Sequence, residues 1–82
     1  MTGQEILTAV EEVARDHVGF SGELRRDQRL IEDLELDSLK ALTLAVEVEN
    51  RFRVRLSPEV EAGIVTVGDL VEVVRELLDE RP

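Results

Sequence analysis

Residues 37–53 read DSLKALTLAVEVENRFR, a run free of glycine and proline with an aspartate at its head. At about 100° of rotation per residue, Ala41, Leu44, Ala45, Val48 and Phe52 fall on one face of a helix. The valines favour strands by propensity, but a helical spacing sustained over so long a window outweighs propensity. The stretch therefore predicts a helix from Ser38 to about Arg53, with Asp37 able to cap it. Leu39, Leu42 and Val46 form a second apolar stripe roughly a third of a turn away, and Ser38 projects between the two stripes at the helix start. Two readings of the second stripe stand side by side: a helix buried on two sides, or a docking surface whose anchors at i, i+3 and i+7 suit a partner groove.

Working outward, Thr2 and Glu5 have the spacing of a capping box. A first helix starts there, carries Ile6, Val10, Val13, Ala14 and Val18 on its apolar face, and stops near Gly19. From Phe20 to Asp37 the apolar residues Phe20, Leu24, Leu30, Ile31, Leu34 and Leu36 follow no single period. A structureless connection of that length is unusual in a compact domain, so these residues are expected to pin an ordered loop, with room for a short helical turn. Downstream, Ser57 can cap a short third helix, Pro58 suits its first position and Gly63 suits a left-handed exit. Thr66 and Asp69 open a last helix with Leu70, Val71, Val74, Leu77 and Leu78 on its apolar face, and residues 79–82 are expected to fray. The prediction is an all-α fold: one domain over residues 1–82, a small four-helix bundle of three longer helices and a short third one, with a long ordered loop between helices 1 and 2.

The bulk properties narrow the function. Eighty-two residues suffice for one small domain, and the absence of cysteine suits a reducing cytoplasm. The opening MTGQEILTAVEE is acidic where a secretory signal is basic and then apolar, and no apolar run approaches the length of a membrane span. A soluble cytoplasmic monomer is expected. The net charge of −9 repels nucleic acid and anionic lipid, which leaves a basic protein surface as the favoured partner. Two phenylalanines are the only aromatics, so no platform for stacking bases can be built.

Ser38 is the candidate chemical group. A serine at a helix start is ordinarily explained by local capping; the same position also favours a phosphate, because free amides and the positive dipole end face it. Ser38 lacks the partners of a self-sufficient nucleophile, since His17 is the only histidine and belongs to the first helix, where its polar neighbours place it at the surface. Asp33, Glu35 and Asp37 alternate like the start of a calcium loop, but Ser38 stands where that loop needs glycine and Leu44 where it needs a bidentate glutamate. A solvated acidic loop is expected, with no metal site.

The segment LIEDLELDSLKALTLAVEVENRF, residues 30–52, followed by LSPEVEAGIVTVGDLVEVV, residues 56–74, resembles an acyl carrier protein over nearly the whole chain. The Asp-Ser-Leu motif, the upstream Glu-Asp-Leu, Phe52, the Ser-Pro turn and the threonine-led last helix together make the resemblance specific. It implies that a phosphopantetheinyl transferase moves 4'-phosphopantetheine from coenzyme A onto Ser38, with Asp37 and Leu39 completing the motif. It implies a carrier without catalytic residues: the arm's thiol, absent from the cysteine-free chain itself, holds an acyl group as a thioester for enzymes such as a ketosynthase or an acyltransferase. The helix from Ser38 is then the recognition helix, with Leu39, Lys40, Leu42, Val46 and Glu47 as partner-binding residues. Tethering serves such a carrier through effective concentration, so weak docking suffices.

Two departures from the family pattern stand out. Carriers of housekeeping fatty acid synthesis often place an acidic residue directly after Asp-Ser-Leu; this chain has Lys40, and from Ser38 to Arg53 its two acids, Glu47 and Glu49, face Lys40, Arg51 and Arg53. That balance points to a discrete carrier of polyketide or other specialised metabolism rather than the central fatty acid carrier. The chain also reads Glu35-Leu36 where many relatives have glycine. An aminoacyl or peptidyl carrier is the related alternative, although such carriers usually place glycines before the serine. The alternative from another class is an unmodified acidic helical interaction module in which Ser38 only caps.

Overall fold

A computed structural model describes residues 1–80. Its first helix is set by the capping box: Thr2 Oγ1 accepts from the Glu5 amide at 3.1 Å, and the Thr2 amide donates to Glu5 Oε1 at 2.8 Å. Four helices follow in order, α1 (Gly3–His17), α2 (Ser38–Phe52), α3 (Pro58–Ala62) and α4 (Val67–Asp79). Ser57 caps α3, and Thr66 with Asp69 forms a second capping box at α4. The four predicted helices, three longer and one short, are all present in the predicted order. Of the residues expected to fray, Asp79 still closes α4 and Glu80 caps it, while residues 81–82 lie outside the described residues.

α1 packs against both α2 and α4. Ile6, Val10, Val48, Val67, Val71 and Val74 are fully buried, and each such side chain contributes on the order of 1.5–3 kcal/mol by leaving water. The predicted face of α2 divides on inspection: Leu44, Val48 and Phe52 are buried, whereas Ala41 and Ala45 are only half-buried because they border a cavity. The other stripe is open to solvent, with Leu39 at 71%, Leu42 at 58% and Val46 at 41% exposure. A helix buried on two sides is thereby ruled out.

The segment between α1 and α2 is ordered by contacts distant in sequence. Leu24, Leu34 and Leu36 are buried, and Phe20 and Leu30 pack on the core. Ile31 departs from expectation: it is exposed, because it lines the open cavity rather than the core. Backbone bonds stitch the loop to the approach and start of α4: Leu30 N donates to Val65 O at 3.0 Å, Val67 N to Gln28 O at 2.9 Å and Gly68 N to Arg26 O at 2.9 Å. Gly68 is needed for that approach, since a Cβ there would lie 3.0 Å from Arg26 O. Asp33 and Leu34 both donate to Arg29 O, closing the short turn for which the sequence left room.

One exit was misassigned from the sequence. Gly63 is not left-handed; it sits at φ −88°, ψ −6°, in a tight turn where its own amide donates to Val60 O and Ile64 N to Glu61 O. The left-handed helix exit belongs to Arg53, at φ 55°, whose amide donates to Glu49 O. Glu35 is the other non-glycine residue at positive φ among the described residues, also 55°, which gives the left-handed turn that glycine makes without strain.

Candidate functional site

The site begins with two leucines. Leu34 and Leu36 are buried in the core, and left-handed Glu35 between them bends the chain so that both reach it. That anchor delivers Asp37 and Ser38 to the start of α2. Asp37 caps the helix with its side chain: Oδ1 accepts from the Lys40 amide at 2.8 Å, and its carbonyl takes the Ala41 amide at 2.9 Å. Ser38 is consequently the first helical residue rather than the cap. Its side chain is exposed and makes no hydrogen bond among the described residues. The amides of Ser38 and Leu39 likewise have no intramolecular acceptor there, so a phosphate on the hydroxyl would meet free N–H donors at the positive end of a helix.

No histidine is hydrogen-bonded to the Ser38 hydroxyl among the described residues. His17 sits at the end of α1, with Nε2 3.7 Å from Glu47 Oε1 on α2, and no other histidine exists to take a proton from the hydroxyl. Among the described residues no group of three potential metal ligands occurs. Two of the three alternating acids are held by backbone amides, Asp33 by that of Arg29 at 2.7 Å and Asp37 by that of Lys40. Carboxylates shifted from their ordinary range belong to α1 and α4: amide donation from Thr2 lowers Glu5, amides of Thr66 and Val65 lower Asp69, and the Arg75 and Arg26 guanidinium groups lower Glu72.

The predicted partner-binding residues fall into two sets. Leu39, Leu42 and Val46 lie along the exposed side of α2, running away from Ser38. Glu47 is turned toward α1, where it meets His17, while Lys40 is exposed with no ion-pair partner among the described residues. A cavity of about 270 Å³ opens beside the stripe, lined among others by Leu30, Ile31, Leu36, Leu42, Ile64 and Leu70, with Glu61 the only charged residue in its wall among the described residues. The sequence reading missed this cavity; its signal was the small Ala41 and Ala45 on a face otherwise made of large residues.

An exposed, unbonded serine hydroxyl at a capped helix start, beside an apolar stripe and an apolar cavity, fits a point of covalent attachment. A family model described as the phosphopantetheine attachment site matches residues 4–74. The chain belongs to this family of acyl carrier proteins. Its cofactor is accordingly 4'-phosphopantetheine, held covalently. The meromycolate extension acyl carrier protein of Mycobacterium tuberculosis is 31% identical over 83 residues, covering 100% of this chain and 72% of its own length. The acyl carrier protein of Rhodococcus erythropolis is 31% identical over 77 residues, covering 93% of this chain and 85% of its own. A solved structure from M. tuberculosis assigned as an acyl carrier protein superposes with a TM-score of 0.80 at 28% identity, covering 87% of this chain and 96% of that one. No helix among the described residues is long and apolar enough to cross a membrane.

Proposed function

We propose that Ser38 is the attachment residue and that the chain, acting as a single carrier domain, presents acyl groups to enzymes that dock on Leu39, Leu42 and Val46. The observation that carries this reading is the division of labour at the helix start: Asp37 takes the cap at 2.8 Å, which leaves the exposed Ser38 hydroxyl without an intramolecular partner. In the loading reaction the Ser38 oxygen attacks the phosphorus of coenzyme A that bears the pantetheine, the pyrophosphate bond breaks, and adenosine 3',5'-bisphosphate leaves. The serine proton passes to a base of the transferase, since the neighbouring Asp37 carboxylate is engaged in capping the helix through the Lys40 amide. Ser38 and Leu39 amides orient the new phosphodiester, and Leu34 and Leu36 hold its anchor still. Once attached, the arm supplies a terminal thiol for an acyl thioester. The chain itself catalyses nothing.

Two observations bear on cargo and pathway. Relatives named for meromycolate extension, together with the apolar cavity beside Leu42, favour an alkyl-rich acyl chain. The cations of α2, Lys40 first among them, favour a dedicated carrier of polyketide or related specialised metabolism over the central fatty acid carrier. Its partners are then a phosphopantetheinyl transferase and acyl-loading and acyl-processing enzymes of the cytoplasm, met by the carrier as a monomer. Incubation with coenzyme A and a broad-specificity phosphopantetheinyl transferase, followed by intact mass measurement, tests the reading. The native chain gains one arm and Ser38→Ala gains none; equal gain on both, or none on the native chain, returns Ser38 to the role of a helix residue in an unmodified interaction module.

A further inference from the structure

The charge of this chain is unevenly placed. Its net charge is −9, yet residues 38–55, which contain α2 and its exit, carry four cations, Lys40, Arg51, Arg53 and Arg55, against two carboxylates, Glu47 and Glu49. The structure sharpens the contrast. Both carboxylates have internal partners: Glu47 meets His17 at 3.7 Å, and Glu49 Oε2 accepts the Leu56 amide at 2.7 Å. Arg51 is also internal, donating to Glu12 of α1 at 2.6 Å. Lys40, Arg53 and Arg55 are exposed and pair with no carboxylate among the described residues. Lys40 stands in the first turn, directly after Leu39 at one end of the apolar stripe, and Arg53 and Arg55 follow the last turn beyond its other end, so Lys40 and Arg53 are about 20 Å apart along the axis at ~1.5 Å per helical residue.

We infer that the enzymes served by this carrier present acidic side chains at the two ends of the groove that receives Leu39, Leu42 and Val46. The whole-molecule field has the opposite sign, but exposed charges farther away than about 8 Å are largely screened at physiological salt, so the charges at the rim of the stripe decide contact. Glu35 on the loop and Glu61 on α3 leave the Ser38 and cavity side of the stripe negative. The complementary surface is therefore bipolar, with its acids facing Lys40, Arg53 and Arg55. This inference rests on the carrier reading and adds the sign of the partner's rim to it.

The test loads native chain, K40E/R53E/R55E and K40E/R55E with the arm and an acyl group, using coenzyme A thioester and a broad-specificity transferase. Each loaded protein is then offered to two acyltransferases that accept the same acyl group, one with an acidic and one with a basic rim at the mouth of its arm tunnel. The native chain should favour the acidic-rimmed enzyme about tenfold at physiological salt, its rate should fall as salt rises further, and the triple variant should reverse the preference. K40E/R55E leaves the left-handed Arg53 untouched and should at least halve the preference with unchanged helical circular dichroism. A native preference for the basic-rimmed enzyme, or a preference that both variants retain, overturns the inference while leaving the carrier reading intact; failure of the native chain to accept the arm overturns the carrier reading instead.

Discussion

Val46 and Val48 are two residues apart on α2, so the same substitution at each separates the docking surface from the core. Val48 is fully buried, and Val48→Asp removes about 1.5–3 kcal/mol of apolar burial and places a carboxylate where desolvation costs several more. A domain of 82 residues has a total stability of about 4–12 kcal/mol at 0.05–0.15 kcal/mol per residue, so this variant should be largely unfolded. Val46 is 41% exposed, so Val46→Asp loses only part of one side chain's burial, about 1 kcal/mol, and valine and aspartate differ little in helix propensity. It should stay folded yet transfer its acyl group to a cognate enzyme about tenfold more slowly, because an anchor worth over 1 kcal/mol becomes a charge at a dry contact. Urea titration followed by circular dichroism measures the first effect, and acyl transfer from the loaded carrier measures the second. A Val46→Asp loss above about 2 kcal/mol, or a Val48→Asp chain that unfolds like the native one, would refute the division of α2 into core face and docking stripe.

Other outcomes follow from the loops and caps. Glu35→Gly should leave stability unchanged or raise it by up to about 1 kcal/mol in urea titration, because glycine adopts φ 55° without the cost a side chain incurs; a clear loss would contradict the left-handed turn. Gly63→Ala should stabilise by about 0.4–1 kcal/mol, as that residue is right-handed with its nearest contact 3.6 Å from a new Cβ. Gly68→Ala should instead destabilise by about 1–3 kcal/mol, since the new Cβ meets Arg26 O at 3.0 Å and the loop must shift. Asp69, lowered by the amides of Thr66 and Val65, binds its proton more weakly folded than unfolded. Its contribution is complete above the unfolded value near pH 4 and is lost as pH falls through the folded one, so Asp69→Asn should flatten part of the decline in melting temperature below about pH 4.

The helices were legible because their signals are local. Thr2 with Glu5, Asp37, Ser57 with Pro58, and Thr66 with Asp69 each act within one turn, and each cap stands where its spacing placed it. Gly63 misled because glycine permits a left-handed exit without requiring one, while the exit that is left-handed fell to Arg53, a residue with no local preference for it. The loop's path depends on Arg26, Gln28 and Leu30 meeting Val65, Val67 and Gly68, nearly forty residues away, and no periodicity records such pairings. The exposed stripe could be seen on the sequence but not assigned, because its solvent exposure depends on where α1 and α4 pack. Glu47 was named with that stripe as a partner-binding residue on the recognition helix that the family resemblance implies, and only the placement of His17 shows it turned toward α1.

The central claim is that Ser38 carries a phosphopantetheine arm bearing acyl groups in the cell. Mass spectrometry of the chain purified from the cells that make it, with fragmentation of the peptide spanning residues 33–42, tests this directly. The account predicts an arm that maps to Ser38, with an acyl mass that hydroxylamine removes. A chain recovered bare, or a modification mapped to any other residue, would contradict it.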